Sequence, residues 1–266
     1  MSVARGVDPE RAGLGDRRDA VRRRVLTEGF ARIDDLARAF EVSAMTMHRD
    51  LDALQAEGWL TKIRGGATAN SSALLEAGVR ARSSAMRAEK AAIAATASRM
   101  LAVGQTLFLD DSTTVMAMVP EVVAHAPVTV ATNFLPIVSE LQDAAGVELH
   151  VLGGQYHRLQ EACFGLQTAD AIARLRADIF FMSTTAVSDG ACFHRSEATI
   201  AARTAFMASA ARSVLLVDHA KFGRHAAHRL CSLDRFDTVI TDSSIDPEDL
   251  AELRAVAREV VVADVR

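Results

Sequence analysis

The spacing of hydrophobic positions divides the chain into two parts with different periods. Between residues 17 and 57, apolar side chains recur every three to four positions, as in α-helices that bury one face. From about residue 87, helical stretches alternate with short runs that are apolar at nearly every position. Such runs predict strands covered on both faces, and their alternation with helices predicts a mostly parallel sheet. We therefore expect an α/β protein with a small helical N-terminal domain.

Seven apolar runs in the second part are predicted to be strands. They span residues 106–110, 128–132, 147–152, 178–183, 213–218, 237–242 and 259–264. The carboxyl ends of parallel strands share one edge of the sheet, which is where ligands of open α/β sheets bind. Polar residues that directly follow these strands are therefore the first candidates for a ligand site.

The first part is predicted to contain three helices and a β-hairpin. The first helix covers residues 17–28, Asp34 is expected to cap a short second helix, and Ser43 is expected to cap a third over 44–57. Three apolar residues of the third helix should face the core: Met47, Leu51 and Leu54. The hairpin follows at 59–69, with a Gly-Gly turn. This order of elements predicts a winged helix-turn-helix.

The third helix leaves polar side chains on its outer face, close to its N-terminus. A recognition helix presents side chains to DNA bases and phosphates from this position, and basic residues of the wing would meet the phosphate backbone. The predicted DNA-binding residues are Ser43, Met45, Thr46, His48, Arg49, Lys62 and Arg64. The alternative is a three-helix scaffold for protein contacts. The net charge does not distinguish DNA binding from protein contacts, because residues 17–64 hold ten Lys and Arg against eight Asp and Glu.

Composition is that of an ordinary soluble protein. The 266 residues carry a formal charge of -4, and half of them are hydrophobic. The three cysteines Cys163, Cys192 and Cys231 are widely spaced, which favours buried thiols in a reducing cytosol over a disulfide framework or a zinc site. No apolar run suits a membrane span or a signal peptide. We expect a cytoplasmic protein without membrane contact.

The recognition-helix segment resembles the signature of the DeoR family of bacterial regulators. The matching run is Ser43-Ala-Met-Thr46-Met47-His48-Arg49-Asp50-Leu51, followed by Gly58 and by Ile-Arg-Gly-Gly-Ala-Thr in the wing. One departure is His48, where the family usually has Arg. The resemblance implies binding to double-stranded operator DNA. One short recognition helix covers too few base pairs for specificity, so we expect a homo-oligomer, a dimer or tetramer, that reads paired half-sites.

Residues 87–264 also resemble the DeoR sensor domain, which is similar in fold to ribose-5-phosphate isomerase and coenzyme A transferases. The hydroxyl residues after the first strand of the sheet fit either a helix cap or a phosphate site. The resemblance and the positions after strands together imply an effector pocket formed by Asp110, Ser112, Thr113, Thr114, Asn133, Gly153 and Lys221. The family usually has Gly at the position of Ser112 and a Gly-rich segment at 183–186.

These features predict four segments. Residues 1–16 are expected to be a disordered leader, 17–68 a winged helix-turn-helix, 69–86 a partly helical linker, and 87–266 an α/β effector-sensing domain.

The predicted function is a repressor of sugar or polyol catabolism genes, controlled by a small anionic metabolite such as a phosphorylated sugar. The alternative is a sugar-phosphate isomerase-like enzyme with an accessory DNA-binding module. Nothing marks Asp110, Asp178 or Asp218 as a catalytic base, and no catalytic residue or cofactor is predicted. His225 and His228 are the tightest histidine pair, but they lack further ligands and are interpreted as surface residues, so no metal is predicted.

Overall fold

The computed structural model describes residues 9–63, 65–70 and 78–265, and the chain forms two compact units that meet at Met86 and Arg87 in the sequence. The elements of the first unit are α1 (Pro9–Glu28), β1 (Phe30–Arg32), α2 (Ile33–Ala39), α3 (Ala44–Ala56), β2 (Leu60–Ile63), β3 (Gly66–Ala69) and α4 (Gly78–Ser84). They form a three-helix core with a small antiparallel sheet, in the strand order β1-β3-β2.

One hydrophobic cluster holds the first unit together. Its members from α1, α2 and α3 are Val21, Val25, Ile33, Leu36, Ala37, Met47, Leu51 and Leu54. The prediction that Met47, Leu51 and Leu54 face the core is confirmed, because all three are buried. Their spacing of four and three residues places them on one side of α3 and leaves the opposite side to solvent.

The N-terminus of α3 was predicted correctly, whereas that of α2 was not. The Ser43 hydroxyl oxygen accepts a hydrogen bond from the Thr46 amide at 3.2 Å and caps α3. In α2 the N-cap position belongs to Arg32, whose side chain makes no capping bond, and Asp34 lies inside the first turn. The chain enters α2 directly from β1, so the helix starts earlier. Asp34 and Asp35 then favour its N-terminus by their charge.

Residues 9–16 were predicted to be disordered, but α1 begins at Pro9. Proline is favoured at the first position of a helix, and each residue added to an existing helix gains a hydrogen bond at low entropic cost. The packed residues Val21 and Val25 supply that existing helix. Residues 1–8 of the expected leader lie outside the described residues.

Part of the segment expected to be a linker packs on the first unit. Ala85, directly after α4, belongs to the hydrophobic cluster, and the Met86 amide donates to the Glu28 carbonyl at 3.2 Å. Val79 of α4 is also buried. The sequence of this segment has few large apolar groups, so its packing depends on small residues that fit against α1.

The second unit begins with α5 (Arg87–Ala97). The elements that follow are β4 (Thr106–Leu109), α6 (Thr113–Met116), α7 (Val119–Ala124), β5 (Val128–Thr132), α8 (Leu135–Leu141), β6 (Val147–Val151), β7 (Gln155–His157), β8 (Ala162–Phe164), α9 (Leu166–Ala173), β9 (Ala177–Met182), β10 (Ala186–Ser188), β11 (Ala191–His194), α10 (Glu197–Ser209), β12 (Ala210–Leu216), β13 (His228–Ser232), β14 (Thr238–Asp242), α11 (Pro247–Val256) and β15 (Val260–Ala263).

Seven of these strands form one parallel sheet in the order β15-β14-β12-β9-β4-β5-β6, and the predicted α/β class is confirmed. All seven were predicted, with ends that differ by up to three residues. The chain runs outward from β4 to β6, returns to β9, and continues outward on the other side. The connections between successive strands therefore run in opposite directions on the two sides of the β4–β9 pair, which is the topological switch point of the sheet.

Five short strands of the second unit were missed, as was β1 in the first unit. Strands β7 and β8 form a hairpin, and β10, β11 and β13 form a three-stranded antiparallel sheet. They are three to five residues long and mix polar with apolar positions, so they lack a hydrophobic period. Among the described helices, none combines the length and the hydropathy that a membrane span requires.

A buried carboxylate joins α3 to α1. Asp50 of α3 accepts hydrogen bonds from the Arg17 Nε at 2.7 Å and from the Arg18 Nε at 3.0 Å. The Asp50 side chain is 2% exposed, whereas those of Arg17 and Arg18 are 21% and 31% exposed. A carboxylate this deeply buried would be costly without such partners.

We predict that Asp50→Ala lowers the free energy of unfolding of the first unit by about 2 kcal/mol, because two arginines lose their buried partner. Trp59 is the single tryptophan of the chain and packs on this unit, so its fluorescence during urea unfolding reports the loss. The control is Asp52→Ala on the same helix. Its carboxylate is 60% exposed, and the expected loss is about 0.5 kcal/mol or less. Equal losses in both variants would contradict the role of Asp50.

Candidate functional site

The outer face of α3 presents a compact group of solvent-facing side chains. Met45, His48 and Arg49 are exposed, and Thr46 is partly exposed. The Ser43 and Thr46 hydroxyls lie 2.9 Å apart and are hydrogen-bonded to each other. The predicted residues of α3 therefore do share one accessible face, opposite the buried Met47 and Leu51. A hydroxyl pair, an imidazole and a guanidinium can together meet base edges and phosphates.

The hairpin formed by β2 and β3 is tied to α3 through Lys62. The Lys62 ammonium donates to the Asp52 carboxylate at 2.6 Å, and the Lys62 amide donates to the Gln55 side chain at 2.6 Å. Asp52 thus partly neutralises the positive charge of Lys62, a contact that the sequence did not indicate. Arg64, the other basic residue predicted in the wing, lies outside the described residues.

Close packing sets the position of the hairpin. A Cβ atom at Gly66 would lie 2.7 Å from the backbone oxygen of Ala31, so glycine lets β3 pair closely with β1. At the base of the hairpin, the Arg22 guanidinium lies 4.3 Å from the centre of the Trp59 ring, a cation–π contact with α1. The wing and α3 are therefore fixed on one core.

In the second unit, polar residues follow the strands along the carboxyl edge of the parallel sheet. In the spatial order of the strands, the row is Asp242, Asp218, Ser183, Asp110, Asn133 and Gly153. All of these except Gly153 are buried. Residues that are distant in sequence thus meet at one edge, as parallel topology requires.

Asp110 is at the centre of this edge, at the switch point between β4 and β9. Its carboxylate oxygens accept from the Ser112 amide at 3.0 Å and from the Ser183 amide at 3.0 Å. The Arg203 Nη2 lies 2.9 Å from one of them. Burial raises the pKa of Asp110 to about 6, although the positive charge of Arg203 opposes the rise. Asp110 therefore joins β4, β9 and α10.

Aromatic packing places Arg203 beside Asp110. Phe206, one helical turn further along α10, stacks on Phe180 of β9 at 4.9 Å and contacts Phe108 of β4 at 5.1 Å between ring centres. This seats α10 on the sheet. The Arg203 Nη2 also lies 3.3 Å from the Asp111 carboxylate. Its Nε and Nη1 are buried and have no hydrogen-bond partner among the described residues.

Ser112 is a helix cap, and its polar groups are used within the loop. Its hydroxyl oxygen accepts from the Val115 amide at 3.1 Å, and its own amide donates to Asp110. Helix α6, which it caps, is only four residues long. The Lys90 ammonium of α5 donates to the Thr113 hydroxyl at 3.0 Å, and both side chains are buried, as is Thr114. Lys90 thus brings a buried cation to this loop.

A second ionic group surrounds Asp218, which follows β12. Its carboxylate is fully buried, and the Lys221 ammonium lies 3.7 Å away. Burial alone would raise the pKa of Asp218, but the positive charges of Lys221 and Lys90 outweigh burial and lower it. Neither carboxylate oxygen of Asp218 has a hydrogen-bond partner within the described part of the chain. The charge of Asp218 is therefore compensated at a distance, while its hydrogen-bonding capacity is unused.

His219 is anchored to the end of β14. Its amide donates to Asp242 at 2.7 Å, and its Nδ1 lies 2.8 Å from the other Asp242 oxygen. Burial alone would lower the pKa of His219, but the hydrogen bond and the charge of Asp242 overcome this and raise it. This contact fixes the start of the short 3-10 turn that carries Lys221.

Asn133 and Gly153 lie on the other side of Asp110. The Asn133 side-chain amide donates to the Cys163 carbonyl at 2.8 Å, whereas its Oδ1 is buried without a hydrogen-bond partner in the described residues. The Gly153 carbonyl accepts from the Thr168 hydroxyl at 2.7 Å. At Gly154 the backbone φ of 148° and the nearby Phe164 carbonyl leave no room for a Cβ atom. The Gly-Gly turn is thus a close-packed junction with β8.

Residues of this edge that were not predicted as site residues from the sequence include Lys90, Ser183, Arg203, Asp218, His219 and Asp242. Lys90 continues the buried face of α5 with Ile93, Ala94 and Ala97, so its spacing was an available signal. Arg203 has the same spacing to Phe206, but a single arginine on a helix gives no sign of its burial. The described residues contain no group of three or more His, Cys, Asp and Glu side chains placed to hold a metal ion.

Comparisons with known proteins identify both units. Residues 17–73 match the DeoR-like helix-turn-helix domain, and residues 85–243 match the DeoR C terminal sensor domain. The lactose phosphotransferase system repressor of Staphylococcus aureus is 29% identical over 252 residues, which cover 94% of this chain and 98% of that protein. The protein of the same name in Staphylococcus epidermidis is 31% identical over 232 residues, covering 86% and 92%.

Among solved structures, the chain is similar to ribose 5-phosphate isomerase A from Methanocaldococcus jannaschii. The TM-score is 0.37 at 15% identity, over 50% of this chain and 53% of that one.

We predict that His219→Gln flattens the dependence of stability on pH. A histidine whose folded pKa is raised above 6.5 stabilises the fold fully below that pH and loses this contribution as the pH rises through the folded pKa. The wild-type unfolding temperature should therefore fall more steeply above pH 6.5 than that of the variant, as measured by calorimetry. His150→Gln changes a histidine that lies outside this contact and should keep the wild-type slope. Identical slopes for wild type and His219→Gln would refute the prediction.

Proposed function

The chain belongs to the DeoR family of bacterial transcriptional regulators, and we propose that it is a cytoplasmic repressor of genes for sugar or polyol use, controlled by a phosphorylated sugar. The two Staphylococcus relatives, which match over most of their length, are named as repressors of a lactose phosphotransferase system. The chain carries both a helix-turn-helix domain, which suits DNA binding, and a sensor domain, which suits binding of a metabolite.

The DNA-binding surface that we propose is the exposed face of α3. Met45, Thr46, His48 and Arg49 would meet base edges, while Ser43 and the wing residues Lys62 and Arg64 would meet phosphates. Asp50, which directly follows Arg49, is buried against α1 and so does not repel the DNA phosphates at the surface. One helix of this length spans few base pairs, so we propose that a homo-oligomer reads paired half-sites.

The observation that carries the effector proposal is the presence of buried donors and acceptors without partners at one sheet edge. Among the described residues, two nitrogen atoms of Arg203 and oxygens of Asp218 and Asn133 have no hydrogen-bond partner. Burying each such group costs about 1–3 kcal/mol unless a ligand forms a hydrogen bond with it. A sugar phosphate carries both anionic oxygens for the cations and hydroxyls for the acceptors.

Within this pocket, Lys221 and Arg203 would pair with the phosphate, and Asp218 and Asn133 would accept hydrogen bonds from sugar hydroxyls. We also place Asp110, Thr113, Thr114 and Gly153 in the pocket wall. Ser112 is assigned a smaller role than the sequence suggested, because its hydroxyl and amide already bond within the loop. The name of the lactose phosphotransferase relatives supports a phosphorylated sugar as the effector class.

We propose that the protein has no enzymatic activity of its own. A catalytic base must reach the substrate proton with a free lone pair. Asp110, the carboxylate with the strongest rise in pKa along this edge, is engaged by two backbone amides and by Arg203. These contacts make Asp110 a structural carboxylate rather than the base of a sugar-phosphate isomerase. The unpaired oxygens of Asp218 are assigned instead to hydrogen bonds from the hydroxyls of the effector.

We predict that Arg49→Ala weakens operator binding by ~1–3 kcal/mol, the usual contribution of an arginine that reads a guanine. The operator is first selected from random duplexes with the wild-type protein, and affinities are then compared by gel-shift titration at one salt concentration. Arg254→Ala removes an exposed arginine of α11 in the second unit and serves as the control for charge. Unchanged affinity in a folded Arg49→Ala protein would remove Arg49 from the DNA-reading surface.

We predict that Lys221→Ala weakens binding of a phosphorylated sugar by roughly tenfold or more, because a charge-assisted contact of about 1.5–3 kcal/mol is lost. Calorimetric titration of hexose 6-phosphates, pentose 5-phosphates and the free sugars measures this. Arg174→Ala, a substitution at the end of α9, is the matched control. If a phosphorylated ligand binds equally well to Lys221→Ala, the pocket is misplaced; if only free sugars bind, the effector class is wrong. Aldose–ketose exchange in the same mixtures would overturn the non-enzymatic assignment.

A further inference from the structure

Two cysteines that are far apart in the sequence lie opposite each other in the small antiparallel sheet. Cys192 of β11 and Cys231 of β13 are direct register partners, and a β-bulge follows Cys192. Their thiols are hydrogen-bonded to each other. Local sequence patterns do not indicate this pair, because it depends on the pairing of two short strands.

The two thiols differ in exposure and in acidity. Cys192 is buried, keeps its proton and donates to Cys231, and this hydrogen bond together with burial raises its pKa well above the ordinary value. Cys231 is partly exposed. The bond from Cys192 lowers its pKa, and Arg235 and Arg229 lower it further against the effect of burial. Cys231 is therefore suited to attack as a thiolate, with Cys192 directly behind it.

The backbone allows a bond between the two sulfur atoms with a small movement. Opposite residues of an antiparallel pair have Cβ atoms about 4.5–5.5 Å apart, and a disulfide needs about 3.5–4.5 Å. Strand β13 is an edge strand of its sheet, and its one neighbour in that sheet is β11. It can therefore approach β11 without breaking another ladder.

We propose that Cys192 and Cys231 form a reversible redox site, in which a peroxide oxidises the two thiols to an intramolecular disulfide. The Cys231 thiol first loses its proton, and the thiolate attacks one oxygen of hydrogen peroxide. The O–O bond breaks, Cys231 becomes a sulfenic acid, and the hydroxide that leaves takes up the proton and becomes water. The Cys192 sulfur then attacks the Cys231 sulfur, the S–O bond breaks, and water leaves with the Cys192 proton. Two thiols and one peroxide thus yield one disulfide and two waters, with two electrons passing from sulfur to oxygen.

This site lies beside the polar edge of the parallel sheet. Cys192 lies close to Arg203 and to Thr184, which follows β9. The disulfide would also close a loop that contains β12 and Lys221. Oxidation would therefore tighten the surroundings of Arg203. The chemistry of the pair itself does not depend on the proposed regulatory function.

The test is oxidation of the full-length protein by hydrogen peroxide, followed by counting of free thiols and non-reducing peptide mapping. We expect loss of two of the three free thiols, a peptide that links Cys192 to Cys231, and full recovery with dithiothreitol. Cys163→Ser should give the same linked peptide. Cys163 is the matched control because burial raises the pKa of its thiol, so it should react more slowly.

Variants separate the two steps and guard against misfolding. In Cys192→Ala, dimedone should trap a sulfenic acid at Cys231, whereas in Cys231→Ser the linked peptide should disappear and Cys192 should remain reduced. Cys231 is partly exposed, so this second variant tests the proposal even if replacement of the buried Cys192 unfolds the chain. A disulfide between two chains, oxidation of Cys163 in preference to the pair, or sulfinic acid at Cys231 without any linked peptide would overturn the proposal.

Discussion

The ion pair between Asp110 and Arg203 is the interaction on which the carboxyl edge of the large sheet depends. A guanidinium buried to this degree would cost several kcal/mol if it were left without a carboxylate. Asp110 offsets that cost and also accepts amides from its own loop and from the end of β9. One carboxylate therefore fixes the positions of β4, β9 and α10 relative to one another at the switch point, where the chain connections run in opposite directions. The other polar residues of the edge are arranged around this fixed centre.

Sequence patterns predicted the strands of the large sheet because their signal is local. Each is a run of apolar residues, and burial on both faces by helices requires such a run. Ser43 was predicted as a cap for the same reason, since its partner Thr46 is three residues away. Asp34 was misplaced because the strand before α2 changes where the helix begins, and a three-residue strand such as β1 carries too little pattern to be recognised.

The contacts of the candidate site were out of reach of local patterns. Arg203 and Asp110 are distant in the sequence, as are His219 and Asp242, and a charged residue on a helix is usually exposed. The position after a strand predicted Asp110, Asn133 and Lys221, because parallel topology alone brings these positions together. It did not predict the bonds that they make. Ser112 shows the difference, since its position was right and its hydroxyl turned out to cap α6.

In helix α3, the residues that anchor the helix to the core and the residues that it exposes to solvent occupy different positions. Met47, Asp50, Leu51 and Leu54 hold it to the core, and Ser43 holds its first turn. The exposed residues between them make few contacts with the fold. Met45, His48 and Arg49 can therefore be exchanged with little loss of stability. On the proposed role of this face in reading DNA, such point substitutions would give a regulator a new operator. The same separation makes α3 a practical starting point for engineered specificity, in which the anchoring positions are kept and the exposed ones are varied.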